Sequence, residues 1–498
     1  MTSGVETGRI TTDIPARMDR LPWARWHWLI VAGLGTVWIL DGIEVTIVGS
    51  MSDALKPSST GLGLSSSDIG LAGAVYVAGA CLGALFFGQL TDRFGRKKLF
   101  MLTLAVYTVA TVLTAFSMNP LWYFACRFLT GAGIGGEYAA INSAIDELIP
   151  ANYRGRVDIA INGSFWVGAG AGALLTIPLL DPTVFDPAFG WRFAFGIGAV
   201  LALGVLFVRR YVPESPRWLY IHGREEEGEK IVKDIERTVT EEIGRELDPV
   251  SETITIRQRK TIGLGLIAKT VFTLYPKRTV LCLSLFIGQA FLYNAFFFTY
   301  GDSLTTFLGV TQTGYYIAAF AASNFLGALL LSQLFDTVGR VKMIAGTYIV
   351  SGALLGAAGF FLDSFTAFSL TAMGMVIFFF ASAGASAAYL TASEVFPMET
   401  RALCIAFFYA VGTAAGGIAG PLYFGHLIDA ATASKDITGL APGYFIGAAL
   451  MVAGGIVAIF LGVHAERETL ENIATPLTAE ADDAPPQSGR GSTQPAPA

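Results

Sequence analysis

Charge is scarce in this chain: Asp, Glu, Lys and Arg make up 14% of its 498 residues, against about 25% in a typical soluble domain. Histidine and cysteine are scarcer, at four each. His27, His222, His426 and His464 form no ligand spacing, so the sequence offers no metal site and implies no cofactor. Cys81, Cys126, Cys282 and Cys404 are widely spaced and lie in or at the ends of apolar runs, which excludes a disulfide framework. No cleavable signal pattern is present; a polar stretch, 1–26, leads into an apolar run long enough to span a membrane. What is abundant is apolar. Hydrophobic residues are 53% of the chain and its 57 glycines follow no collagen-like period, and the mean hydropathy is +0.56. These values exclude an aqueous enzyme and a nucleic-acid binder and define a polytopic membrane protein. The net charge of −6 adds little, because many acids sit in one hydrophilic loop and the C-terminal tail.

A bilayer core of about 30 Å needs roughly 20 mostly apolar residues per crossing. Twelve runs qualify: 27–49, 69–90, 99–118, 121–145, 158–180, 189–210, 279–301, 311–335, 342–361, 365–391, 402–428 and 442–464. They are too long for barrel strands, so the expected class is an all-α membrane protein with twelve transmembrane helices. With both termini in the cytosol, Lys56, Arg192 and Lys435 fall outside and Arg127 inside a span. The other 29 of the 33 Lys and Arg are then cytosolic or at that boundary, which is a strong positive-inside signal. The chain accordingly divides into a cytosolic segment 1–26, a six-helix bundle 27–210, a cytosolic linker 211–278, a second bundle 279–464 and a tail 465–498. Within the linker, 224–242 carries Ile231, Val232, Ile235 and Val239 at helical spacing and reads as a surface helix. From about 474 the tail is rich in Pro, Ala, Ser and Asp and reads as disordered.

The chain repeats itself. Gly88-Gln-Leu-Thr-Asp92-Arg-Phe-Gly95-Arg96-Lys-Lys98 follows span two, and Ser332-Gln-Leu-Phe-Asp336-Thr-Val-Gly339-Arg340-Val-Lys342 follows span eight; six of eleven positions are identical at an offset of 244. Glu147-x-x-Pro150-x-x-x-Arg154 and Glu394-x-x-Pro397-x-x-x-Arg401 follow spans four and ten at an offset of 247. Two motifs at nearly one offset imply two parallel six-helix halves around a central cavity, a major-facilitator-type transporter. Gly95 and Gly339 permit tight turns, and Asp92, Arg96, Asp336, Arg340, Glu147, Arg154, Glu394 and Arg401 are candidates for a cytosolic gate that latches the halves together. The plainer alternative is that these loops only set topology.

With these motifs the chain resembles the major facilitator superfamily over almost its whole length, its sugar-porter-like branch most of all. Pro213-Glu214-Ser215-Pro216-Arg217-Trp218-Leu219, the Asp92 loop, Arg127-x-x-x-Gly131-x-Gly133-x-Gly135 and Glu394-x-x-Pro-x-x-x-Arg401 carry the likeness. Gly288-Gln289-Ala-Phe-Leu-Tyr293-Asn294 keeps only part of that branch's span-seven segment. Asp41-Gly42-Ile43-Glu44 looks more like aromatic-acid symporters, and Gly135-Gly136-Glu137-Tyr138 like metabolite–proton symporters. The resemblance implies secondary transport of a small solute, a sugar or an organic acid, coupled to protons, by a monomeric multi-pass protein of a bacterial plasma membrane.

Ionisable groups in a span are functional candidates by their insertion cost. Asp41, Glu44, Arg127 and Glu137 are the clear ones. At about 1.5 Å per residue, Glu44 rises about 25 Å from the cytosolic end of span one and Arg127 descends about 9 Å from the outer end of span four, so the two share a level. The resemblance associates these positions with proton coupling. Beside Arg127 the Glu44 carboxylate stays ionised; with the arginine drawn away, burial disfavours the charge and the acid takes up a proton. Asp41, one turn below, is the alternative carrier. Glu137, three turns below Arg127, is a candidate for the inner gate or the solute. The resemblance places Asn162 where sugar porters carry a ligand-binding glutamine. Gln289, Tyr293 and Asn294 share a face by spacing, and Trp166, Phe298, Tyr389 and Tyr409 are aromatic lining candidates, with interhelical packing the bland reading of each. Gly131-x-Gly133-x-x-Gly136 matches a dinucleotide string but lies in a span with no preceding strand, so it is a packing face. Lipid, protons and a small solute are thus the expected partners. A uniporter or exporter on the same fold and a non-transporting sensor are the competing functions.

Overall fold

The computed structural model describes residues 6–50, 52–55, 57, 59, 61–64, 66–209, 213–259, 264–310, 313–397, 400–434, 436–474 and 477; the tail expected to be disordered lies almost wholly outside them. In chain order the elements begin with β1 (Glu6–Thr12), α1 (Ile14–Asp19), α2 (Arg25–Ser50), α3 (Ser52–Leu55), α4 (Ser66–Phe94), α5 (Arg96–Ala115), α6 (Pro120–Leu148), α7 (Ala151–Gly163), α8 (Phe165–Leu179) and α9 (Pro187–Arg209). The linker holds α10 (Pro216–Ile221), α11 (Glu225–Ile243), β2 (Ile254–Arg259) and α12 (Leu264–Lys269). The second half holds α13 (Pro276–Leu308), α14 (Thr313–Thr337), α15 (Arg340–Phe360), α16 (Ala367–Glu394), α17 (Arg401–Ser434) and α18 (Ala441–Leu461), followed by α19 (Leu470–Ile473).

Among the described residues ten segments are long and apolar enough to cross a membrane. The other two long helices, α6 with 29 residues and α13 with 33, complete the twelve. Span five is two helices, α7 and α8, that meet at Ser164, whose hydroxyl donates to Gly35 O of α2 at 3.1 Å. It starts seven residues earlier than the apolar run suggests, because Ala151–Asp158 is polar but helical.

Helix pairing repeats with the sequence. In the first half α2 packs on α8, α4 on α6 and α5 on α9; in the second, α13 packs on α17, α14 on α16 and α15 on α18. The halves meet along α4 with α17 and α8 with α14. Each contact of one half has its counterpart in the other, as a parallel repeat about an axis along the membrane normal requires. Small residues set the approach of α2 to α8: a Cβ on Gly168 would lie 1.8 Å from Ile39 O, and one on Gly42 1.9 Å from Phe165 O.

The side of the bundle that carries the linker holds a structure that the apolar pattern does not foretell. β1 pairs antiparallel with β2 of the linker, Thr11 opposite Thr255. Helix α11 forms as its periodicity suggests and buries Val232, Ile235 and Val239. Arg17 of α1 binds Glu236 at 2.6 Å and Glu229 at 2.9 Å on α11.

Candidate transport site

Asn119 Oδ1 accepts from Trp122 N at 2.9 Å and Pro120 opens α6, which fixes the start of that helix and so the depth of Arg127. Arg127 Nη1 donates to Glu44 Oε1 at 2.5 Å, and the two side chains are 3% and 2% exposed. The Tyr76 ring lies 4.6 Å from the guanidinium carbon. Arg127 Nε has no hydrogen-bond partner among the described residues. The pair therefore neutralises both charges at membrane depth. Asp41, 1% exposed, lies within electrostatic reach of Tyr138, Tyr389 and Tyr409. Glu137, also 1% exposed, has its Oε1 3.4 Å from Thr103 Oγ1, whose proton goes to Leu99 O at 2.8 Å.

Aromatic rings from both halves meet at the centre. Trp38 of α2 stacks on Tyr138 of α6 with centroids 4.4 Å apart and planes 4° from parallel. Tyr389 of α16 and Tyr409 of α17 present edges to Tyr138 at 6.2 and 5.0 Å, and Phe286 of α13 packs on Tyr389 at 5.0 Å. A second contact across the halves joins Trp166 of α8 to Tyr293 of α13 at 5.4 Å. The polar candidates of α13 diverge. Tyr293 donates to Asn324 Oδ1 on α14 at 2.9 Å, while Asn294 Nδ2 donates to Ala290 O at 2.8 Å and packs against Gly417 of α17. Gln289 is buried, and Asn162 is buried with its Nδ2 donating to Asp158 O in its own helix. The side chains of Asp92 and Phe298 lie outside the described residues.

At the end of the bundle that carries the linker the repeated motifs bind one another in each half. Arg96 Nη2 meets Glu147 Oε1 at 2.6 Å, and Arg340 meets Glu394 through two bonds of 3.0 Å. Gly95 and Gly339 turn with φ of +96° and +112°, which favour glycine. An acid caps each following helix: Glu214 accepts from Arg96 N at 2.9 Å and Lys97 N at 3.2 Å, and Glu466 accepts from Arg340 N at 3.4 Å. Burial pushes the Glu214 carboxyl up, against the pull of Arg96 and these amides. Two links then cross between the halves, and a third joins the first half to the segment after α18. Arg401 Nη1 lies 3.9 Å from Glu147 Oε1, Arg156 N donates to Asp336 Oδ2 at 2.9 Å, and Arg154 Nη1 donates to Glu468 O at 3.4 Å. Asp336 also holds Arg340 at 2.6 Å. These contacts tie the two halves together at this end.

Sequence reasoning missed several participants. Asp19 of the N-terminal segment accepts from Ala151 N at 3.2 Å, Arg154 at 3.0 Å and Arg217 at 3.3 Å. Its only sequence signal was an acid beside a basic face. Glu466 was findable, since it follows span twelve as Glu214 follows span six. Asn324, fully buried at 0% exposure, is a polar residue in an apolar run and should have been a candidate on the same ground as Asn162.

A twelve-helix bundle of two repeated halves, with a buried ion pair and charged motifs that meet at one end, defines a transporter of the major facilitator type. The family model for the sugar (and other) transporters matches residues 35–477, and the chain belongs to that family; it is a transporter, not an enzyme. It is 29% identical over 472 residues to the niacin transporter NiaP of Acinetobacter baylyi, covering 93% of this chain and 99% of that one. It is 26% identical over 376 residues to the 4-hydroxybenzoate transporter PcaK of the same organism, covering 73% and 77%. Among solved structures it resembles the proton:xylose symporter XylE bound to 6-bromo-6-deoxy-D-glucose, with TM-score 0.72, 18% identity, and 90% and 98% of the two chains covered. The fold is thus shared well beyond sequence likeness.

Proposed function

We propose that the protein is a proton-coupled symporter that imports a small organic acid, specifically one with a planar aromatic ring, by alternating access. The observation that carries coupling is the 2.5 Å Glu44–Arg127 pair, buried between α2 and α6. A proton on Glu44 cancels its hold on Arg127, and the freed guanidinium then favours an anionic solute; a carboxylate and a proton would enter together. What supports an aromatic solute is the stacked Trp38–Tyr138 pair with Tyr389 and Tyr409 edge-on to it. Flat rings favour a flat partner over a sugar, which needs many hydrogen-bonding groups. Relatives named for niacin and 4-hydroxybenzoate transport are in keeping with that class. Tyr293, Asn324, Gln289 and Trp166 are assigned to the solute, with Asn162, Asn294 and Glu137 around it, and Asp41 as a second acid. In this reading the protein is a monomer in a bacterial plasma membrane with both termini cytosolic, and its bundles, linker and tail divide as the sequence suggests. The test is uptake of labelled nicotinate, 4-hydroxybenzoate and xylose into proteoliposomes, with and without an inward proton gradient. Gradient-driven accumulation of an aromatic acid is expected. Accumulation of xylose alone, or uptake indifferent to the gradient, would overturn the assignment.

A further inference from the structure

Helix α5 carries a polar face that the solute site does not use. Thr103, Tyr107, Thr111 and Thr114 fall within about a third of the circumference at 100° per residue, and Ser117 follows just past the helix end. All five are 0–1% exposed. The helix packs on α4, α6 and α9, all of the first half. The hydroxyls of Thr111 and Ser117 have no hydrogen-bond partner among the described residues. Tyr107 faces Glu44 within electrostatic reach. At the lower end the Thr103 hydroxyl, which donates to Leu99 O at 2.8 Å, lies 3.4 Å from Glu137 Oε1. Hydroxyls orphaned at membrane depth are where ordered water is held. Successive groups rise by about 4.5–6 Å at 1.5 Å per residue, a gap that one water spans with two hydrogen bonds of about 2.8 Å.

We propose that this face of α5 is the proton's own route, separate from the space between the halves that the solute uses. The separate part is the outer one: it runs from outer water at Ser117 past Thr114, Thr111 and Tyr107 to Glu44, and below Glu44 the proton passes by Thr103 to Glu137, where its path meets the solute's space. Each hop forms one O–H bond on the receiving oxygen and breaks one on the donor. The step into Glu44 forms the Oε2–H bond, converts the carboxylate to the neutral acid, and leaves the relay to be reprotonated from outer water. The groups facing Glu44 are Arg127 and Tyr123 of α6, Asp41 of its own helix, Tyr76 of α4 and Tyr107 of α5. Arg127 is the cation among these, so proton arrival and release of that arginine are one event.

The route rests on Glu44 carrying the coupled proton, and the experiment separates the two claims. Thr111→Val keeps shape and removes the hydroxyl; Thr111→Ser restores it. In proteoliposomes with labelled nicotinate or 4-hydroxybenzoate, whichever the panel shows to be carried, Thr111→Val should slow proton-gradient-driven uptake about tenfold, the order of one lost relay bond. KM and solute counterflow should stay unchanged, and Thr111→Ser should recover the rate. Wild-type rates in both Thr111→Val and Ser117→Ala, with Glu44→Gln unable to accumulate, would overturn the route and keep the coupling. Equal loss of counterflow and uptake in Thr111→Val would also overturn it, as a packing defect. Accumulation by Glu44→Gln would sink the coupling itself and the route with it.

Discussion

Glu147 offers the sharpest test of the proposed cytosolic gate, because it lies beside an arginine of each half. Its partner Arg96 is in the same half at 2.6 Å, and Arg401 is across the interface at 3.9 Å. Glu147→Gln keeps an acceptor for Arg96 and removes the charge that Arg401 feels. At 3.9 Å and an effective dielectric of about 20, the attraction is about 4 kcal/mol; in the water that fills an opened gate it is about 1 kcal/mol. The closed gate should therefore lose about 3 kcal/mol, which moves the equilibrium toward the cytosol-open state by roughly a hundredfold. The assay is pulsed spin-label distance measurement between Lys98→Cys and Lys342→Cys, exposed sites on the two repeated loops. The four native cysteines are buried and should label poorly. The distribution should move to longer distances in Glu147→Gln. Glu394→Gln, whose acid binds Arg340 within one half, should shift it far less. An unchanged distribution in Glu147→Gln would refute the latch and leave these charges as topology signals.

Two further outcomes follow from the packing and the charges. Gly168→Val puts methyl groups where Ile39 O already stands, 1.8 Å from the first added carbon, so α2 and α8 cannot approach and folded protein should be lost from the membrane fraction, as read by detergent size-exclusion. On the cytosolic side burial pushes the Glu236 carboxyl up, but hydrogen bonds from Arg17 and Arg20 outweigh it and hold the group below its ordinary 4.5. Glu229 is held low in the same way by Arg17. A depressed carboxylate gives its full stabilisation above the ordinary value and loses it as pH falls through the folded one. The N-terminal segment should thus resist an acid-active protease at pH 5 and above and become progressively more cleavable as the pH is lowered below the ordinary carboxylate range; cleavage that does not rise with acid would contradict the docking.

Much of this was legible in the sequence, for reasons that can be stated. Span positions follow from hydropathy, and the repeat from two motifs at offsets of 244 and 247. Helical rise alone brought Glu44 and Arg127 to one level because both helices cross the same slab, and the structure sets them 2.5 Å apart. Helix α11 was legible because its apolar stripe is local. The β1–β2 pair was not, since each strand is short and its partner lies 244 residues away. Asp19 was illegible for the same reason: its three partners come from α7 and α10, and nothing local marks them. The divergence of Tyr293 and Asn294 shows the limit of spacing, because adjacent residues 100° apart on one helix can face different neighbours.

The central claim is that Glu44 carries the coupled proton. Its most direct measurement is a paired assay on Glu44→Gln in proteoliposomes, of gradient-driven accumulation and of solute counterflow. Counterflow needs only the loaded carrier to reorient, and glutamine mimics the protonated, loaded acid. Net accumulation also needs the empty carrier to return after the proton leaves. Abolished accumulation with retained counterflow is the predicted result. A Glu44→Gln protein that still accumulates solute against its gradient would contradict the account and turn attention to Asp41, one helical turn below.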